Sequence, residues 1–184
     1  MNKNYTETPL LDEIVYRIKE RAKKRLIIAL TICVIIGIVI TSACIAFSSG
    51  IEDIIASWIL PTIFALCFLW PYYNAVRTKE RMKKHLKCIS DTMLESSLQR
   101  SEKLDEYVYL SDEYILDFNL GQAAKLSEIS SVKKYMQMEL KGYAVKLCTS
   151  YEIHYALFKT RQQRTAAIEK ISKAVRRVKK DYQY

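Results

Sequence analysis

The chain has 184 residues, 50% of them hydrophobic and 27% charged, and a formal net charge of +9. Four glycines and three prolines exclude a collagen-like or low-complexity chain. A mean hydropathy close to zero hides two long apolar blocks set among charged flanks; with these set aside, only about 80 residues remain for a soluble core, too few for a TIM barrel or a doubly wound sheet.

Residues 1–25 form a basic arm. Leu10, Leu11, Ile14, Val15 and Ile18 recur at helical spacing, which predicts a short amphipathic helix leading into the first apolar block. That helix suits a membrane surface or a packing face on a soluble domain equally well.

Residues 26–76 read as a hairpin of two membrane spans, about 26–47 and 54–76, with no charged side chain in either. At 1.5 Å per residue each reaches roughly 33 to 35 Å, enough for a hydrocarbon core of about 30 Å. Two buried helices of a soluble protein rarely run so long without a charge. A cleaved signal peptide fits poorly too: Thr41-Ser42-Ala43-Cys44 faintly resembles a lipoprotein cleavage site, but it lies far into the chain behind a long apolar run.

Charge supplies an orientation. Arg17, Lys19, Arg21, Lys23, Lys24 and Arg25 precede the first span, and Arg77, Lys79, Arg81, Lys83, Lys84 and Lys87 follow the second. The polar turn Ser48–Asp53 between them has no Lys or Arg. The positive-inside rule therefore predicts a multi-pass protein of the cytoplasmic (inner) membrane with both termini in the cytoplasm. Trp58 at one end of the second span, and Trp70, Tyr72 and Tyr73 at the other, suit the headgroup zones. Pro61 and Pro71 predict irregularity in that span. Thr31, Gly37, Thr41 and Ser42 offer small or polar packing positions between the spans. With no Asp, Glu, Lys, Arg or His inside, the spans lack the groups that ion and proton pathways usually use.

Residues 77–104 read as a helical juxtamembrane stalk with a thin stripe of Met82, Leu86, Ile89, Met93 and Leu98, ending in a Ser-rich stretch. From 105 to 184 the texture becomes that of a cytosolic domain. Strands are predicted at Tyr107–Leu110, Tyr114–Phe118, Lys134–Leu140, Tyr143–Thr149 and Ile153–Phe158. Lys125–Val132 suits a short strand or a turn of helix. Ser111–Glu113, Asn119–Gln122 and Lys141-Gly142 read as turns. A last helix, from about Arg161 to Lys179, carries the apolar stripe Ile168, Ile171, Val175 and Val178. The fold class is α+β: a transmembrane hairpin, then a small antiparallel sheet or half-barrel of about five strands, capped by a C-terminal amphipathic helix.

A two-span hairpin followed by Tyr109-Leu110-Ser111-Asp112-Glu113-Tyr114-Ile115, then Lys125–Val132 with its Ile129 and Val132, then Val145–Thr149 and a last helix resembles the bacterial PH-like proteins, nearest to the membrane-attached YcxB-like group. The chain departs from that group in lacking a Trp just before Ile129 and an Ile-Pro-Lys step later on. The resemblance covers roughly residues 105–178 and the hairpin. It implies a PH-like binding or scaffolding module, with no catalytic residues to carry over.

Motifs for chemistry are absent: there is no phosphate loop, no G-x-S-x-G and no H-E-x-x-H. His85 and His154 stand in different elements and read as structural or solvated. Cys33, Cys44, Cys67, Cys88 and Cys148 make no C-x-x-C pair and no zinc spacing. Asp112 and Glu113 read as solvated turn residues. The expectation is therefore a non-enzymatic protein without cofactor. The candidate contact residues are Arg161, Arg164, Lys170, Lys173, Arg176, Arg177, Lys179 and Lys180, set against one acid, Glu169. Such a basic helix serves as a solvated face, as a contact for anionic inner-leaflet lipid, or as a docking surface for a protein partner; nucleic acid is the weakest candidate. Two functions compete: a membrane-anchored module that binds lipid or a protein partner, and an accessory subunit of a transport, immunity or pore-forming assembly, which would be homo-oligomeric because two spans alone enclose no pore.

Overall fold

A computed structural model of the chain describes residues 9–47, 50–86, 89–135 and 142–181. They fall into two compact units. One is Arg17–Val76; the other joins the described part of Met1–Tyr16 to that of Arg77–Tyr184.

The Arg17–Val76 unit is helical. Helix α1, Leu10–Ala46, enters it from the amphipathic arm without a break. Helices α2, Ile51–Ser57, and α3, Ile59–Val76, follow. By length and composition, α1 and the segment Ile51–Val76 can each cross a membrane. The expected polar turn is shorter than Ser48–Asp53, because Ile51, Glu52 and Asp53 already belong to α2. The interruption at Trp58 has a simple cause: Pro61 has no N–H to give the carbonyl of Ser57, so the helical ladder lapses there. Pro71 lies inside α3 and removes a second such bond.

Large apolar side chains of this unit are exposed in quantity, among them Ile28, Ile38, Leu60 and Leu66. Its hydroxyls turn back on their own helices. Thr31 and Ser42 donate to the carbonyls of Ile27 and Ile38, and Thr62 to that of Trp58. Of the four expected packing positions, Gly37 and Thr41 meet the second apolar segment. The Trp58 indole N–H donates to Thr41 Oγ1 at 3.0 Å, and a Cβ on Gly37 would stand 2.5 Å from the Trp58 ring. Only glycine admits the indole that closely.

In the other unit, the start of α1 packs as the core face of an amphipathic helix, with Leu11, Ile14 and Val15 buried. Its first free N–H groups, on Leu10 and Leu11, donate to the Glu95 carboxylate at 2.9 and 2.8 Å, an anion cap at a helix N-terminus. Glu95 belongs to α5, Asp91–Gln99, which Ser90 caps by accepting from the Met93 N–H. Before it comes α4, Thr78–His85. The expected helical stalk over 77–104 is thus two short helices and the beginning of a strand. Of the expected stripe, Met82, Ile89 and Leu98 are buried in this unit, but Met93 is exposed and its neighbour Leu94 takes the core position, so these helices cover a core and do not line a free-standing rod.

Seven described strands form two antiparallel sheets, where about five in one sheet were expected. The first sheet runs in chain order: β1 Glu102–Asp105, β2 Val108–Leu110, β3 Tyr114–Asp117 and β4 Gln122–Lys125. A 3-10 turn, Leu126–Glu128, leads to the second: β5 Ile129–Tyr135, β6 Tyr143–Thr149 and β7 Ile153–Phe158. The expected strand Lys134–Leu140 is described only to Tyr135; its remainder and Lys141 lie outside the described residues. Between β3 and β4 Gly121 holds φ +60, a left-handed conformation that glycine adopts without strain, and α4 passes over it with the Thr78 backbone 3.4 Å from where a Cβ would stand. Helix α6, Arg161–Asp181, closes the core. Its Ala167, Ile171 and Val175 pack with Val108, Ile115, Leu126, Ile129, Val145, Leu147 and Phe158.

Side chains, not a continuous ladder, seal the two sheets together. On the free edge of β7 and just past its end, the N–H groups of Tyr155, Leu157 and Lys159 point outward at alternate positions. They donate to Gln122 Oε1 at 2.5 Å, Asp117 Oδ2 at 2.7 Å and Asp105 Oδ2 at 2.8 Å. Asp117 also accepts from Asn119 and Leu120 through Oδ1. Burial pushes its carboxyl up to about 7, against the pull of these three backbone donors.

Candidate functional site

Two surfaces merit the description: the basic helix and a histidine cluster. On α6 the buried stripe is Arg164, Ala167, Ile171 and Val175. Arg164 therefore leaves the set of available contacts. It is only 4% exposed, its Nη1 donates to the Tyr135 carbonyl at 3.3 Å, and its guanidinium lies 5.3 Å from the centre of the Tyr143 ring. The spacing carried this signal, since Arg164 precedes Ala167, Ile168 and Ile171 by three, four and seven residues. Lys170 is exposed but forms an ion pair with Glu102 on β1.

Arg161, Lys173, Arg176, Arg177, Lys179 and Lys180 are all exposed. At 100° per residue, Lys173, Arg176, Arg177 and Lys180 span an arc of roughly 100° opposite the buried stripe. The helix thus shows one concentrated cationic face.

The second surface joins three distant stretches of chain. His85 is the last residue of α4, Glu152 ends the turn between β6 and β7, and His154 lies on β7 opposite Leu147. Thr149 builds the turn: its Oγ1 accepts from the N–H groups of Tyr151 and Glu152, and its own N–H donates to the Glu152 carbonyl at 2.9 Å. Glu152 Oε2 stands 3.4 Å from His85 Nδ1 and 3.8 Å from His154 Nε2. The two imidazoles meet edge to face, 5.2 Å between centroids.

His154 is buried, and its Nδ1 has no hydrogen-bond partner among the described residues. Burial, reinforced by the neighbouring His85, lowers its pKa, while Glu152 and Glu128 pull the other way. Each histidine taken alone reads as structural or solvated; the packing of α4 along β4 is what brings them together. Asp112 and Glu113 are exposed in their turn, as expected. Cys33, Cys44, Cys67 and Cys148 are free thiols; Cys88 lies outside the described residues.

No family model matches the chain, and neither a curated protein nor a solved structure does.

Proposed function

We propose that this chain is an integral membrane protein whose apolar hairpin anchors a PH-like binding module at the cytoplasmic face of the cell membrane, with both termini inside. The observation that carries the reading is the charge pattern around two exposed apolar segments: six cations within residues 17–25 before the first, six within residues 77–87 after the second, none in the bend. Four strands, three strands and a closing amphipathic helix support the PH-like part. The partner of the cationic face on α6 is anionic inner-leaflet lipid, toward which each Lys or Arg near the surface contributes on the order of 1 kcal/mol. Lys173, Arg176, Arg177 and Lys180 are its contact residues; Arg164 has a packing role.

Two measurements test this. A cysteine placed at Gly50 in an otherwise cysteine-free chain should react with an impermeant maleimide added outside intact cells, and one at Tyr184 should not; the reverse pattern defeats the orientation. A fluorophore on a cysteine at Ser172 should be quenched by headgroup-labelled lipid in vesicles containing phosphatidylglycerol. Equal quenching in purely zwitterionic vesicles defeats the lipid contact.

A further inference from the structure

From the cluster's geometry we infer that His85, Glu152 and His154 form a binding site for a divalent cation of the zinc class, held by two imidazole nitrogens and one carboxylate. The inference stands apart from the membrane reading and does not depend on it.

Three features carry it. The first is donor geometry. One ligand atom from each residue lies within 4.8 Å of the other two. Bond lengths of about 2.0 to 2.1 Å in a tetrahedral zinc site put ligand atoms roughly 3.4 Å apart. The His85–Glu152 separation of 3.4 Å already matches that spacing, and the Glu152–His154 separation of 3.8 Å is slightly longer. Small side-chain rotations bring the three donors onto one ion.

The second is donor chemistry. Two neutral imidazoles and a carboxylate suit zinc and its first-row neighbours, whereas calcium and magnesium prefer all-oxygen shells.

The third is the burial of one donor. His154 is 6% exposed, its Nδ1 has no hydrogen-bond partner among the described residues, and its Nε2 stands 3.8 Å from Glu152 Oε2, longer than a hydrogen bond. A cation at Nε2 replaces that long contact with a coordinate bond. Three protein donors leave a fourth position for water or an external ligand. The ion would tie the end of α4 to the β6–β7 hairpin.

The experiment uses the full chain purified in detergent and stripped of metal with a chelator. Zinc titrated against a competing chromophoric chelator should show one saturable site. Cobalt in its place should give visible d–d bands of tetrahedral intensity without the near-ultraviolet thiolate charge-transfer band that cysteine ligation produces. His85→Asn and Glu152→Gln should each weaken zinc binding by about tenfold or more. These positions are not in the buried core, so both variants should keep the wild-type circular dichroism spectrum, a check that His154→Ala, at a buried position, would complicate. Cys148→Ser should bind zinc like the parent. Absence of a stoichiometric site, unchanged affinity in both His85→Asn and Glu152→Gln, or a dominant thiolate-to-cobalt band would each overturn the assignment.

Discussion

The two units of this chain use polar and apolar groups in opposite ways. In Arg17–Val76 the large aliphatic side chains are exposed, and Thr31, Ser42 and Thr62 return their hydroxyls to carbonyls of their own helices. In the strand-bearing unit the aliphatic side chains are buried, and polar side chains reach across to other elements: Asp105, Asp117 and Gln122 each take an N–H from near or on β7. A segment that returns its hydroxyls to its own carbonyls does not depend on water to satisfy them, which suits a hydrocarbon surrounding. A segment that spends its polar groups on distant strands can close two small sheets around a core.

The sharpest way to break this contrast is to truncate one apolar residue in each unit. Phe158, 1% exposed and central to the mixed core, should cost about 3 to 5 kcal/mol when changed to Ala, enough to abolish the cooperative thermal transition of the full chain in detergent. Ile38, 55% exposed, should cost no more than about 0.5 kcal/mol as Ile38→Ala in the same assay. In exchange, Ile38→Asp should penalise membrane insertion by about 3 kcal/mol, read with a glycosylation-site reporter. Equal sensitivity of Phe158 and Ile38 to alanine would mean that both segments are ordinary soluble cores.

Asp117 sharpens the other half of the comparison. Asp117→Asn puts an amide NH2 where one backbone donor now finds an acceptor, at a cost of about 2 kcal/mol. Its carboxyl, raised from 3.8 to about 7, holds a proton in the folded state that the unfolded chain releases. The sign follows: between those values the native state binds more protons, so this contribution to stability is complete below pH 3.8, falls as pH rises, and is gone above about 7. Denaturant titrations across that range should show the decline in the parent and its loss in the Asn variant. A parent whose stability is flat there would show that the three N–H donors outweigh burial.

How far these features were legible varies with how local their cause is. The apolar helices were readable from length alone, and their charge asymmetry from counting. Strands β3, β6 and β7 announced themselves through β-branched and aromatic residues. Strand β4, Gln122–Lys125, did not: its two alanines give no periodic signal, and pairing with β3 makes it a strand. Strand β1, Glu102–Asp105, hid in the polar end of the supposed stalk for the same reason. The histidine cluster was out of reach altogether, since it depends on α4 packing along β4 and on a turn placed more than sixty residues later. Arg164 is the instructive intermediate case. Its helical phase matches the core stripe, yet its charge argued for the surface, and the Tyr143 ring and Tyr135 carbonyl decide the matter.

That competition yields the finest test. Arg164→Ala removes a buried, hydrogen-bonded cation from over an aromatic ring, and should lower stability by about 1.5 to 3 kcal/mol. Arg177→Ala, on the exposed cationic face, should change it by less than about 0.5 kcal/mol. Arg164→Lys separates charge from shape: lysine keeps the charge but not the planar guanidinium that both stacks and donates, so it should recover only part of the loss. Removing Arg177 should instead weaken attraction to anionic vesicles while the thermal transition stays in place. If Arg164→Ala weakened lipid attraction as much as Arg177→Ala did and left the transition untouched, both arginines would belong to one exposed face, and the stripe through Ala167, Ile171 and Val175 would not extend back to residue 164.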